Sequence, residues 1–87
     1  MYATQCKAAR AMLRWSAADL ARKADVPETA VETIEEEQPL DPAIVAKIEA
    51  AFEAMGVEFT YGERPMVRFK TLDGIIEVSA GPSTRPH

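Results

Sequence analysis

The sequence predicts a mainly α domain with a small β part at its C-terminal end. Three observations point there. Apolar residues recur at helical spacing in four segments before residue 57, each segment begins at a capping signal, and beyond Gly56 the apolar period shortens to alternation around Asp73-Gly74. The implied organisation is a helical unit over 1–56, a strand and hairpin extension over 57–80 that serves packing or dimerisation, and a loose tail over 81–87. A chain of 87 residues is one domain, and a domain this small hides only about 60% of the surface its unfolded chain exposes. Its core must be compact, or be completed by a partner.

The first helix is expected from Thr4, as N-cap, to about Arg14. Cys6, Ala9 and Leu13 form one apolar stripe, while Lys7, Arg10 and Arg14 line a neighbouring face. Ser16 offers the next N-cap and Asp19 closes a short capping box, starting a helix that runs to about Ala24 with Leu20, Ala21 and Ala24 inward. Trp15, between the two, is expected to cap the core. After a break at Asp25-Val26, Pro27 suits the first turn of a third helix reaching about Glu36, with Ala30, Val31 and Ile34 as its buried side. Asp41-Pro42 repeats the start signal. Ile44, Val45, Ile48, Phe52 and Met55 then share one face of a fourth helix, and Gly56 sits where a left-handed C-terminal cap is expected.

The β part begins with Val57-Glu58-Phe59. A loop over Tyr61–Pro65 follows, and then two alternating runs, Met66–Leu72 and Ile75–Ala80, flank Asp73-Gly74, the residues of a type I′ turn. Pairing about that turn sets Leu72 opposite Ile75, Phe69 opposite Val78 and Lys70 opposite Glu77. Val67, Phe69, Ile76 and Val78 then share a face that either covers the fourth helix or pairs with a second subunit.

Composition narrows the function. The chain is 47% hydrophobic and 28% charged, too apolar for wholesale disorder. Cys6, the only cysteine, permits no intrachain disulfide and reads as a core thiol rather than a redox sensor. No run approaches the ~18 apolar residues of a membrane span, and Met1-Tyr2 does not open a secretory signal, so a reducing cytoplasm is the expected compartment. No Cys/His cluster, glycine-rich phosphate loop or nucleophile–base pair is found, and His87 stands alone in the tail. Neither an enzyme nor a metal or other cofactor is expected.

The net charge of −4 is unevenly spread. Residues 1–24 carry Lys7, Arg10, Arg14, Arg22 and Lys23 against Asp19, whereas 25–41 carry Asp25, Glu28, Glu32, Glu35, Glu36, Glu37 and Asp41 and no base. Any phosphate-facing surface must draw its charge from the first two helices.

The run from Leu20-Ala21-Arg22-Lys23-Ala24-Asp25-Val26-Pro27 to Glu28-Thr29-Ala30-Val31-Glu32-Thr33-Ile34-Glu35 resembles the helix-turn-helix of the Cro and phage-repressor (XRE-like) family. The short bacterial members with a C-terminal β-hairpin are the most similar, through Gln5 to Ser16 and Ala50 to Phe59, and the likeness covers roughly residues 4–70. It implies a four-helix repressor-like domain and a transcriptional regulator that binds operator-like double-stranded DNA as a dimer, third helix in the major groove. By position, Glu28, Thr29, Glu32 and Thr33, with Ala17, would face bases, and Arg10, Arg14 and Arg22 would meet phosphates. The family usually has Gln at Ala17, Gly at Asp25, and a basic or polar residue followed by Gly near Glu36–Glu37. An alternative follows from the acidic third helix. Glu28, Glu32, Glu35 and Glu36 would dock a basic regulatory protein, the chain acting as anti-activator or co-regulator, unless they are simply a solvated face.

Overall fold

Four helices and a three-stranded antiparallel sheet make up the computed structural model, which describes residues 1–71 and 74–79. The helices are α1 (Ala3–Leu13), α2 (Ala17–Ala24), α3 (Glu28–Glu35) and α4 (Pro42–Glu53). The strands β1 (Val57–Thr60), β2 (Met66–Thr71) and β3 (Gly74–Ser79) follow as a meander in chain order. Among the described residues no helix is long and apolar enough to cross a membrane.

Two helices start as their capping residues dictate. In α2, Asp19 N donates to Ser16 Oγ at 3.0 Å and Ser16 N to Asp19 Oδ2 at 2.9 Å, the reciprocal box that satisfies two orphan donors. Asp41 Oδ1 accepts from Ala43 N at 2.9 Å ahead of Pro42. The other two starts differ from expectation by a residue or two. Thr4 lies inside α1, whose N-cap is Tyr2, because Gln5 Oε1 reaches back to accept from Tyr2 N at 2.8 Å. Pro27 is the N-cap of α3, its extended ψ of 148° leaving its carbonyl to accept from Ala30 N at 2.9 Å.

The first three helices all stop the same way. Arg14, Asp25 and Glu37 adopt left-handed φ of 58°, 59° and 61°. The N–H after each bonds back five residues, Trp15 to Arg10 O at 2.9 Å, Val26 to Ala21 O at 3.0 Å and Gln38 to Thr33 O at 3.1 Å. This closure satisfies carbonyls that the helix end would leave open. Helix α4 stops at Glu53, so Met55, expected on its buried face, falls in the following turn and is 45% exposed. Gly56 takes the expected positive φ, +89°, but in the turn beyond the right-handed C-cap Ala54 rather than as the cap itself, its N–H bonded to Glu53 O at 3.0 Å.

One apolar cluster joins helices to sheet, from Cys6, Ala9, Leu20, Val31, Ile48 and Phe52 to Val57 and Val67. Phe52 is its centre, fully buried, stacked on Trp15 at a centroid distance of 5.8 Å and edge-on to Phe59 at 5.7 Å. Gln5, the one buried polar residue among the described residues, bridges α1 to the sheet by donating from Nε2 to Thr60 O at 2.8 Å and Met66 O at 3.1 Å.

The hairpin register differs from expectation by two residues. Phe69 stands opposite Ile76, Val67 opposite Val78, Arg68 opposite Glu77, and Lys70 opposite Ile75 rather than Glu77. In this register Arg68 takes the cross-strand place expected of Lys70: its Nε lies 2.9 Å from Glu77 Oε2 on one neighbouring strand, with Nη1 4.0 Å from Glu58 Oε1 on the other, exposed contacts that add little energy. An even shift preserves face parity, so Val67 and Phe69 still share a face with positions 76 and 78. The β2 half of that face is spent within the chain, Val67 fully buried and Phe69 packed on the core. On β3, Ile76 of that face remains 49% exposed, and Ile75, on the opposite face beside Lys70, is 52% exposed. Ile75 therefore does not face Leu72 as expected, and Gly74, expected inside the turn, is the first residue of β3 opposite Thr71. Leu72, Asp73 and the 80–87 segment, with the turn type and the loose tail expected there, lie outside the described residues.

Candidate functional site on the second and third helices

Helices α2 and α3 are joined by Asp25, Val26 and Pro27 alone. Leu20, Ala21 and Ala24 of α2 are buried, as are Ala30, Val31 and Ile34 of α3, and the two helices pack on each other. The small Ala21 lets the backbones approach. With that side consumed by the core, α3 turns Glu28, Thr29, Glu32 and Glu36 outward, and all four are exposed. Among the described residues their side chains make no hydrogen bond or ion pair, although the Thr29 and Glu36 carbonyls accept from the Thr33 and Gln38 side chains. Thr33, half-buried, donates its hydroxyl to Thr29 O at 2.7 Å, folding it onto its own helix. Ala17 lies half-buried in the first turn of α2, beside the core.

The inner edge of α3 is different. Glu35 faces α1, where Arg10 grips it with Nε–Oε2 at 2.7 Å and Nη2–Oε1 at 2.8 Å, a two-point pairing that fixes direction as well as distance. Arg10 Nη1 also donates to Trp15 O at 3.0 Å, and the Cys6 thiol donates to Glu35 Oε2 at 3.1 Å. Burial alone would raise the Glu35 pKa, but the Arg10 and Cys6 hydrogen bonds and the nearby Arg10 and Lys7 charges outweigh it, and the carboxyl is held below its ordinary value. Burial pushes the Cys6 thiol far up, and the Glu35 carboxylate adds to that, so the thiol stays protonated.

The structure therefore separates the residues singled out in the sequence. Arg10 and Glu35 are joined to each other across α1 and α3. Arg22 reaches back to Asp19 at 2.7 Å. Hydrogen bonds from the Ser16 backbone, then from Arg22, hold Asp19 below its ordinary value. Arg14 is exposed at the left-handed end of α1, and Lys7 and Lys23 are exposed as well. Two contributions escaped the sequence reading, the Arg10–Glu35 seam and the Gln5 bridge. Gln5 did carry a signal: it lies one turn before Ala9 on the apolar stripe, where an unpaired polar residue would be costly. No protein-family model, curated protein or solved structure matches this chain.

Proposed function

We propose that this chain is a transcriptional regulator of the Cro and phage-repressor helix-turn-helix class, presenting α3 to the major groove of double-stranded DNA and acting in the cytoplasm as a homodimer. The carrying observation is the α2–α3 unit, two short helices closed by a left-handed Asp25, with the outward residues of the second left unpartnered. Asp25 and Glu37 take positive φ at the places where the resembled family usually has Gly, which supports the likeness through backbone geometry rather than residue identity.

Glu28, Thr29, Glu32 and Thr33 would face the bases, a Glu accepting from cytosine N4 and a Thr methyl meeting thymine. Arg14 and Arg22 would meet phosphates, since the Asp19–Arg22 pair is exposed and such pairs are worth little. Arg10 is committed to Glu35 and supports the reading helix from behind. The exposed Ile75 and Ile76 on the edge strand β3 are the natural seat of a dimer contact. A fluorescence-anisotropy titration against the duplex upstream of its own coding region tests this. Saturable binding that weakens steeply with salt is expected, and none at low salt would overturn it.

A second reading has its own observation. Glu28, Glu32 and Glu36 are exposed with no cationic neighbour engaging them among the described residues, a surface suited to a basic regulatory protein. Glu28→Lys with Glu32→Lys separates the two: DNA affinity should rise or change its sequence preference, whereas a protein partner held by this face should be lost.

A further inference from the structure

Away from the outward residues of α3, the first turn of α1, the end of α3 and the β1–β2 loop enclose an open groove of about 580 Å³. Its floor is apolar, formed by the buried Ala3, Ile34 and Pro65. The exposed carboxylates on its rim are Glu37 and Glu63, and no lysine or arginine lines it among the described residues. The amino group of Met1, which also lines it, is already paired with Glu49 at 2.9 Å. Glu37 is held at a fixed root, its backbone left-handed and its N–H bonded to Ile34 O at 3.1 Å. Tyr2, also on the rim, is half exposed and stands edge-on to the equally exposed Tyr61, ring centroids 5.4 Å apart.

An apolar floor under a carboxylate and aromatic rim matches the long side chains that carry a hydrocarbon stem and a positive head. We propose that this groove receives an arginine or lysine side chain from an extended segment of a partner protein. The stem lies over Ala3, Ile34 and Pro65, the head meets Glu37 and Glu63, and the half-exposed Tyr2 ring adds apolar surface at the rim. A peptide suits the site better than a small free amine, because the groove is open and an amine alone would leave most of its charge in water. The inference stands whether or not α3 meets DNA, since none of these residues is among those proposed to face the duplex.

The test is amide NMR titration of the full chain with a capped peptide carrying one central arginine in an alanine–serine background. Shift changes are expected at Thr4, Gln38 and Gly62. A twin peptide with citrulline at the centre should bind several-fold more weakly, the loss of one charge from a pairing with exposed carboxylates. Glu63→Gln, in an exposed loop, and Glu37→Gln should each weaken binding several-fold with the melting temperature unchanged, while Glu28→Gln with Glu32→Gln should leave it alone. Shifts centred on Glu28 to Glu32, equal binding of the citrulline peptide, equal binding of free arginine amide, or no shift at millimolar peptide would each overturn the proposal.

Discussion

Glu32 and Glu35 sit on the same short helix and belong to the same run of acids, yet they live in different physical worlds. Glu35 is clamped at two points by Arg10, accepts from Cys6 and keeps only 11% of its side chain in contact with solvent. Glu32 is exposed and engages no partner among the described residues. The difference shows that one edge of α3 is structure and the other is surface. Breaking the inner edge should give the largest effect. Glu35→Ala leaves Arg10 without its partner at a mostly enclosed site, and a loss of about 2 kcal/mol is expected, below the range for fully buried pairs because Arg10 remains partly wet. Replacing both, as Arg10→Met with Glu35→Leu, should recover most of that loss in urea denaturation, since apolar side chains carry no desolvation debt.

Acid should reach the same edge without mutation. Because the Glu35 pKa is depressed on folding, its contribution is fully present above the ordinary glutamate value of 4.5 and is lost as pH falls through the folded value. Stability measured from about pH 5 downward should therefore fall more steeply in the wild type than in Glu35→Gln. Asp19, also depressed, titrates in both proteins, so the difference between the curves belongs to Glu35. Parallel curves would mean that the Arg10 pairing contributes nothing.

Much of this architecture was legible in the sequence because it depends on local chemistry. Ser16 with Asp19, and Asp41 with Pro42, state where helices start, and the stripes through α2 and α3 name their buried residues. What the sequence could not state depends on which distant groups meet. The hairpin register places Arg68 rather than Lys70 opposite Glu77, and local alternation around an Asp-Gly pair does not choose between the two pairings. Arg10 reads as one more base on an exposed face until α3 is packed against α1. The three left-handed helix ends were hidden as well, because Arg14, Asp25 and Glu37 give no glycine signal.

Those helix ends allow a smaller intervention at the turns between the two regions. A left-handed non-glycine residue costs about 1–2 kcal/mol, and glycine gives back part of the gain through its freer unfolded chain. Asp25→Gly and Arg14→Gly should each therefore stabilise by about 0.5 kcal/mol, read as a shift of the urea midpoint at unchanged slope. Asp25→Ala, which keeps the strain, should not.

The outer edge should give the smallest change in stability and, under the DNA reading, the clearest change in function. Glu28→Gln and Glu32→Gln remove charge from exposed side chains with no partners among the described residues, so each should move stability by less than about 0.5 kcal/mol. Both substitutions keep the hydrogen-bonding carbonyl while removing a charge that repels phosphate. Nonspecific duplex affinity should then rise for each variant, most at low salt where screening is weakest. Glu35→Gln carries the same formal change, but its carboxylate is turned to Arg10 rather than outward, and its effect on affinity should be smaller. Equal gains from positions 32 and 35 in a titration at fixed low salt would show that DNA senses net charge alone, and that α3 is not the helix it meets.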